Sequence, residues 1–155
     1  MSDVYSAVDA PPVGVNLLAV NLHDVEFKRL KDPDGPLDAG GQLQLAIKVA
    51  RPNETDLVVH ILFRTEHPQL FKASALYGLR FRLEDDADVG DREEYWRLVA
   101  AQLAPVIAYP YARETLNSLA AKAGISGLIL PVLNVGAIVP PSDISLAPIA
   151  EQTGE

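Results

Sequence analysis

The chain has no cysteine among its 155 residues. Without thiols there is no disulfide framework and no thiolate metal site, a composition that fits a reducing compartment. Cations are also scarce, with 13 Lys and Arg against 21 Asp and Glu and a net charge of -8. Phosphate binding needs clustered Lys and Arg, so this balance argues against a nucleic-acid partner. It favours basic or net-positive segments instead, and it keeps apolar surface soluble. No uninterrupted apolar run approaches the roughly 18 residues of a membrane span. Residues 1–10 carry acids and no basic flank, and no apolar stretch follows that could act as a signal peptide. The expected location is cytoplasmic. His23, His60 and His67 lack ligand-type spacing, and no glycine cluster carries a phosphate-loop lysine or a dinucleotide fingerprint. Nothing local suggests a nucleophile elbow. The expectation is therefore a non-enzyme without metal or cofactor.

What is present is a chain of ordinary globular composition, 48% apolar and 22% charged, of a length that suits one domain. Residues 1–12, ending in Pro11-Pro12, read as a loose tail, 13–140 as the domain, and 141–155 as a second tail. Residues 15–30 read as a strand whose alternation changes phase: Leu18, Val20 and Leu22 share one parity, Val25 and Phe27 the other. A side-chain period of two allows this only with an extra residue, so a β-bulge is predicted near His23-Asp24. Residues 31–41 hold the prolines and glycines of a loop. Leu43, Leu45, Ile47 and Val49 mark a half-buried strand, and 57–64 a more central one. Phe71, Ala73, Ala75, Tyr77, Leu79, Phe81 and Leu83 share a face opposite Lys72, Ser74, Arg80 and Arg82. The pattern predicts a four-stranded antiparallel meander, with the first strand open to rearrangement by its loop.

An acidic linker over 84–91 leads to a helix start at Asp91, where acids favour the positive end of the helix dipole. Tyr95, Leu98, Val99 and Leu103 recur at helical spacing. Pro105 and Pro110 must kink or restart the helix, and Pro110 suits a first helical position. After it, Ala112, Leu116, Leu119, Ala120 and Ala123 form one apolar stripe, read as core plus oligomer interface, and Gly124 caps the end. Residues 125–139 carry nine large aliphatic side chains and no charge. So apolar a loop either packs back onto the protein or forms a contact surface, and Pro131 keeps it extended. Tyr95, Trp96, Tyr109 and Tyr111 offer broad contact area with few rotatable bonds, either as anchors or for binding. The fold class predicted is α+β, a four-stranded antiparallel sheet with a long kinked helix packed across it.

Two segments carry more than pattern. They are Tyr109-Pro110-Tyr111-Ala112-Arg113-Glu114 with Gly124, and Leu128-Ile129-Leu130-Pro131-Val132-Leu133-Asn134. Together they resemble the C-terminal half of the SecB family of protein-export chaperones, which has an aromatic-Pro-Tyr-Ala-Arg-Glu helix start, a glycine at the helix end and a Leu-x-Leu-x-Pro-x-Asn loop. The resemblance implies an ATP-independent holdase for unfolded or precursor polypeptides, a homotetramer assembled as a dimer of dimers. It implies client binding by Leu128, Leu130, Val132, Leu133, Val135 and Tyr109. Helices corresponding to the 112–123 stripe join two dimers in the family. It also implies docking of the export motor SecA at Asp24. There the sequence departs, because Lys28 stands where a second acid is usual and the fourth strand has cations, Arg80 and Arg82, but no acid. Past Val135 the family's second helix is not matched either. Two alternatives follow: a SecB-like chaperone dedicated to one client, such as a toxin–antitoxin component, and a small-molecule-binding or enzymatic α+β domain. The second would need convergent polar side chains on the inner sheet face, which the inward sets barely offer.

Overall fold

The structure, a computed structural model, describes residues 14–31, 42–85, 87–125, 130, 140–146, 148 and 149. Strands β1 (Val15–Arg29), β2 (Gln42–Ala50), β3 (Asp56–His67) and β4 (Phe71–Leu83) form one antiparallel sheet in the order β1-β4-β3-β2. The meander is thus β2-β3-β4, and β1 is returned by its loop to pair with β4. The bulge predicted at His23 is present as a register shift between Leu22 and Asp24. A second, between Leu17 and Ala19, was not legible from parity alone. Together the shifts keep Leu17, Val20, Leu22, Val25 and Phe27 opposite Phe81, Leu79, Tyr77, Ala75 and Ala73, all on one sheet face.

That face is covered by a helix running from Arg92 to Lys122 in three parts: α1 (Arg92–Leu98), a π-helical turn (Val99–Leu103) and α2 (Ala104–Lys122). Asp91 caps it, accepting from the Glu93 and Glu94 amides at 3.0 and 3.2 Å. The sequence predicted a restart at Pro110. Instead Pro105 takes the first turn of α2 and Pro110 lies within it. The π turn is what makes Pro105 tolerable, since it shifts the ladder by one residue just ahead of a ring that cannot donate. At the far end Gly124 adopts φ 78°, and Ile125 N and Gly124 N donate to Ala120 O and Ala121 O, a Schellman closure. Arg29 Nη1 donates to Ala123 O at 2.9 Å, tying the end of β1 to the end of α2.

Trp96, Ala100, Ala104, Ala108, Ala112, Leu116 and Ala120 are all buried at a strict spacing of four. On an ideal α-helix such a row drifts by about 40° per step, and the extra residue of the π turn removes about 100° of it. The alanines let the helix approach Phe63, Phe71, Tyr77, Leu79 and Phe81, which supply the bulk of the core. Beyond residue 140, Ile144 is buried against the same core and accepts from Arg97 Nε through its carbonyl.

The opposite face of the sheet is outward. At its centre Gly78 pairs with His60, and a Cβ at Gly78 would overlap the imidazole of His23. His23 and His60 meet edge to face, ring centroids 5.1 Å apart. Asp56, fully buried at the end of β3, accepts from Arg80 Nε and Nη2 at 3.0 and 2.6 Å and from Arg82 Nε and Nη2 at 2.8 and 3.0 Å. The hydrogen bond from Arg82 holds its carboxyl well below the usual carboxylate range; burial opposes this, and bonds to Arg80 and Asn53 reinforce it.

A depressed carboxyl contributes stability that is complete above its unfolded value of ~3.9 and is lost as the pH falls below it. Asp56→Asn should therefore lower stability by about 1–3 kcal/mol at neutral pH. Its melting temperature should also fall less than the wild type's between pH ~6 and ~3, as read by thermal denaturation. Gly78→Ala should destabilise the protein, and adding His23→Ala should recover most of the loss in a double-mutant cycle.

Candidate peptide-binding surface

A helix with its side chains is about 10 Å across, whereas four strands at ~4.8 Å spacing present a wider sheet. Here α2 lies chiefly over β4, touching β3 and β1 less. Among the described residues, the least covered flank is the inner side of β1. Leu17, Leu22 and Val25 point to the helix side yet remain 42%, 46% and 36% exposed. The bulged Leu18 is also exposed. Leu22 stands opposite Tyr77, whose ring lies 6.4 Å from that of Tyr111 on α2. Tyr77 Oη is held by Thr115 Oγ1 at 2.7 Å and donates to Tyr111 O at 3.1 Å, which fixes the floor between strand and helix. Tyr111 is half exposed, so an apolar surface runs from Leu17 through Leu22 to Tyr111. β1 is also an edge strand, able to pair its free backbone groups with another chain.

On the other flank of α2, Tyr109 is buried with its ring 6.0 Å from Phe63, and burial pushes its phenol up. A shallow cleft beside it is lined by Pro110, Arg113, Glu114 and Asn117. Asn117 Oδ1 is buried there without a hydrogen-bond partner among the described residues.

The residues singled out from sequence divide as follows. Leu130 is buried and belongs to the hydrophobic core. Leu128, Val132, Leu133 and Val135 lie outside the described residues. Ala112, Leu116 and Ala120 face the protein's own sheet, and Leu119 and Ala123 are half buried. Asp24 is exposed on the outward face, opposite Leu76, and so lies across the sheet from Tyr109. In the sequence Leu22 and Val25 mark only strand alternation, and the parity there puts Leu18 beside Val20 and Leu22, whereas the register shift puts Leu17 on that face. The signal that marks them as surface is a count: one helix cannot cover the inward sets of four strands. Among the described residues, no group of three or more His, Cys, Asp or Glu is placed to hold a metal, and no helix is long and apolar enough to cross a membrane.

No protein-family profile matches the chain, and no curated protein does. Among solved structures, the fold is similar to that of the Mycobacterium tuberculosis Rv1957 SecB-like chaperone in complex with a ChAD peptide from the Rv1956 HigA1 antitoxin. The TM-score is 0.63 at 19% identity, over 79% of this chain and 94% of that one. The four-stranded antiparallel sheet with a long kinked helix packed across it is a SecB-like arrangement.

Surface and core residues should separate on mutation. Leu22→Ser and Tyr111→Ser should stay within about 0.5 kcal/mol of the wild type. Leu130→Ser, which buries a hydroxyl and removes an isobutyl group, should cost about 2–5 kcal/mol, measured by urea denaturation.

Proposed function

We propose that the protein is an ATP-independent chaperone that holds an extended segment of another polypeptide, and that it serves one dedicated client rather than general export. The single observation that carries this reading is the apolar inner flank of edge strand β1, left open beside Tyr111. An extended peptide there can pair with the strand edge and bury alternate side chains against Leu17, Leu22 and Tyr111. At ~25 cal/mol per Å², a few hundred Å² of client surface yields several kcal/mol before ordering costs, enough for reversible holding. The fold likeness to a SecB-like chaperone holding an antitoxin peptide supports the dedicated reading. Lys28, Arg80 and Arg82 support it too, since they make the outward face a poor seat for a basic export motor.

In this reading the protein works in the cytoplasm without nucleotide and as a homo-oligomer, with a dimer of dimers the assembly implied by the resemblance. By the resemblance, Leu128, Leu130, Val132, Leu133, Val135 and Tyr109 would extend the client surface, with Leu130 as buried support. Ala112, Leu116, Leu119, Ala120 and Ala123 would serve the core first and the contact between copies second.

The protein should suppress aggregation of an unfolded test protein at stoichiometric amounts without ATP, and the variant Leu22→Ser/Tyr111→Ser should lose that effect while its melting temperature and its size-exclusion volume hold. A tagged protein expressed in its native cytoplasm should retain one dominant small partner. No suppression at several-fold excess would sink the holding activity. Recovery of many exported precursors would instead support general export.

A further inference from the structure

We propose that the outward face of the sheet docks an acidic, extended polypeptide segment, at a site separate from the flank assigned to the client. The strand register places Lys28, Lys48, Arg64, Lys72, Arg80 and Arg82 on this one face. Among the described residues, the strands set these six cations on the face against the acids Asp24, Glu26, Asp56 and Glu66. In a protein of net charge -8, the sheet's outer surface is of the opposite sign.

Five of these cations fall into two groups, and Lys48 stands apart on edge strand β2, opposite His60. At one end Lys28 stands directly across from Lys72, and Arg64 is one strand away, opposite Ser74. Glu66 faces Lys72 from β3 and offsets part of the repulsion between the paired lysines, and an anion laid over Lys28 and Lys72 would relieve what remains. These side chains border a shallow depression that also takes in Glu26 and Glu66. At the other end, Arg80 and Arg82 share buried Asp56 beneath them. Each guanidinium engages it through Nε and Nη2, which leaves Nη1 of each for a partner. Their side chains are 42% and 53% exposed. Because Asp56 pins both, little rotamer freedom remains to be lost when they meet a carboxylate.

Between the groups lies an uncharged strip on β4 and β3: Ser74, Leu76, Gly78, Leu62, His60 and Val58. Lys72 and Arg80 are eight positions apart on β4, about 27 Å at the rise of a strand. The complementary ligand is an extended segment of roughly eight residues, with carboxylates toward both ends and small or apolar residues between. A polyphosphate backbone fits worse, because its evenly spaced charges would meet Asp24, Glu26 and Glu66 among the cations and the acidic protein around them.

The test is fluorescence anisotropy with a labelled peptide, Glu-Glu-Ser-Leu-Gly-Val-Ser-Glu-Glu, against the full protein at salt of about 0.05 and 0.3 M. A Lys-for-Glu version of the peptide and a single-stranded DNA oligomer of equal length serve as competitors. The acidic peptide should bind, weaken at least about tenfold at the higher salt, and be displaced by neither competitor. Lys28→Glu/Lys72→Glu, both exposed, should reduce binding at least tenfold while the circular dichroism spectrum stays that of the folded protein. Arg64→Glu provides a second variant. Leu22→Ser/Tyr111→Ser should bind this peptide as the wild type does, whatever it does to client holding. The inference is overturned by equal binding to the charge-reversed double variant, by displacement with the DNA, or by loss of binding in Leu22→Ser/Tyr111→Ser.

Discussion

One helix has to cover a sheet wider than itself, and most of what is distinctive in this protein follows from that mismatch. The helix seats itself where contact is densest, over β4, by presenting a row of alanines to the large side chains of the sheet. Close approach at the centre leaves the margins thinly covered. On β1 the result is Leu17, Leu22 and Val25 turned to the helix side but wet. The open surface needs no loosened packing elsewhere, because the inward side chains of the central strands and the alanine row remain buried.

The two faces of the sheet then divide the labour by polarity. The inner face is apolar and limited in width by the helix. The outer face is charged, and its order depends on a few specific devices: the Asp56 clamp on Arg80 and Arg82, and the bulge that lays His23 over Gly78. A chain that binds on the inner flank and one that binds on the outer face would approach β4 from opposite sides without excluding each other.

How much of this was legible beforehand depended on the kind of constraint. The strands β2 and β4 announce themselves through strict alternation, β3 through a nearly continuous apolar run, and the bulge at His23 through a parity break that no unbroken strand permits. Asp91 and Gly124 do the same for the helix ends, because their roles depend on local chemistry. The second bulge is hidden because Leu17 and Leu18 are both leucine, so slipping by one position leaves the pattern intact. The placement of Pro110 was misread because proline favours a first turn but does not require one, and Pro105 with a π turn satisfied the same backbone need earlier. The exposed flank of β1 and the clamp on Asp56 depend on which strand ends at the edge and which side chains meet across strands. Neither is contained in local periodicity.

The bond from Arg29 to the carbonyl of Ala123 reaches across 94 positions of sequence to join the last residue of β1 to the residue that ends α2. It works as a mechanical tether between an open strand edge and the point where the chain leaves the helix. Any displacement of the strand's end relative to the helix must stretch or break this charge-assisted contact. A shift of the β1 end would therefore be felt where the chain leaves α2, although the two share no stretch of backbone.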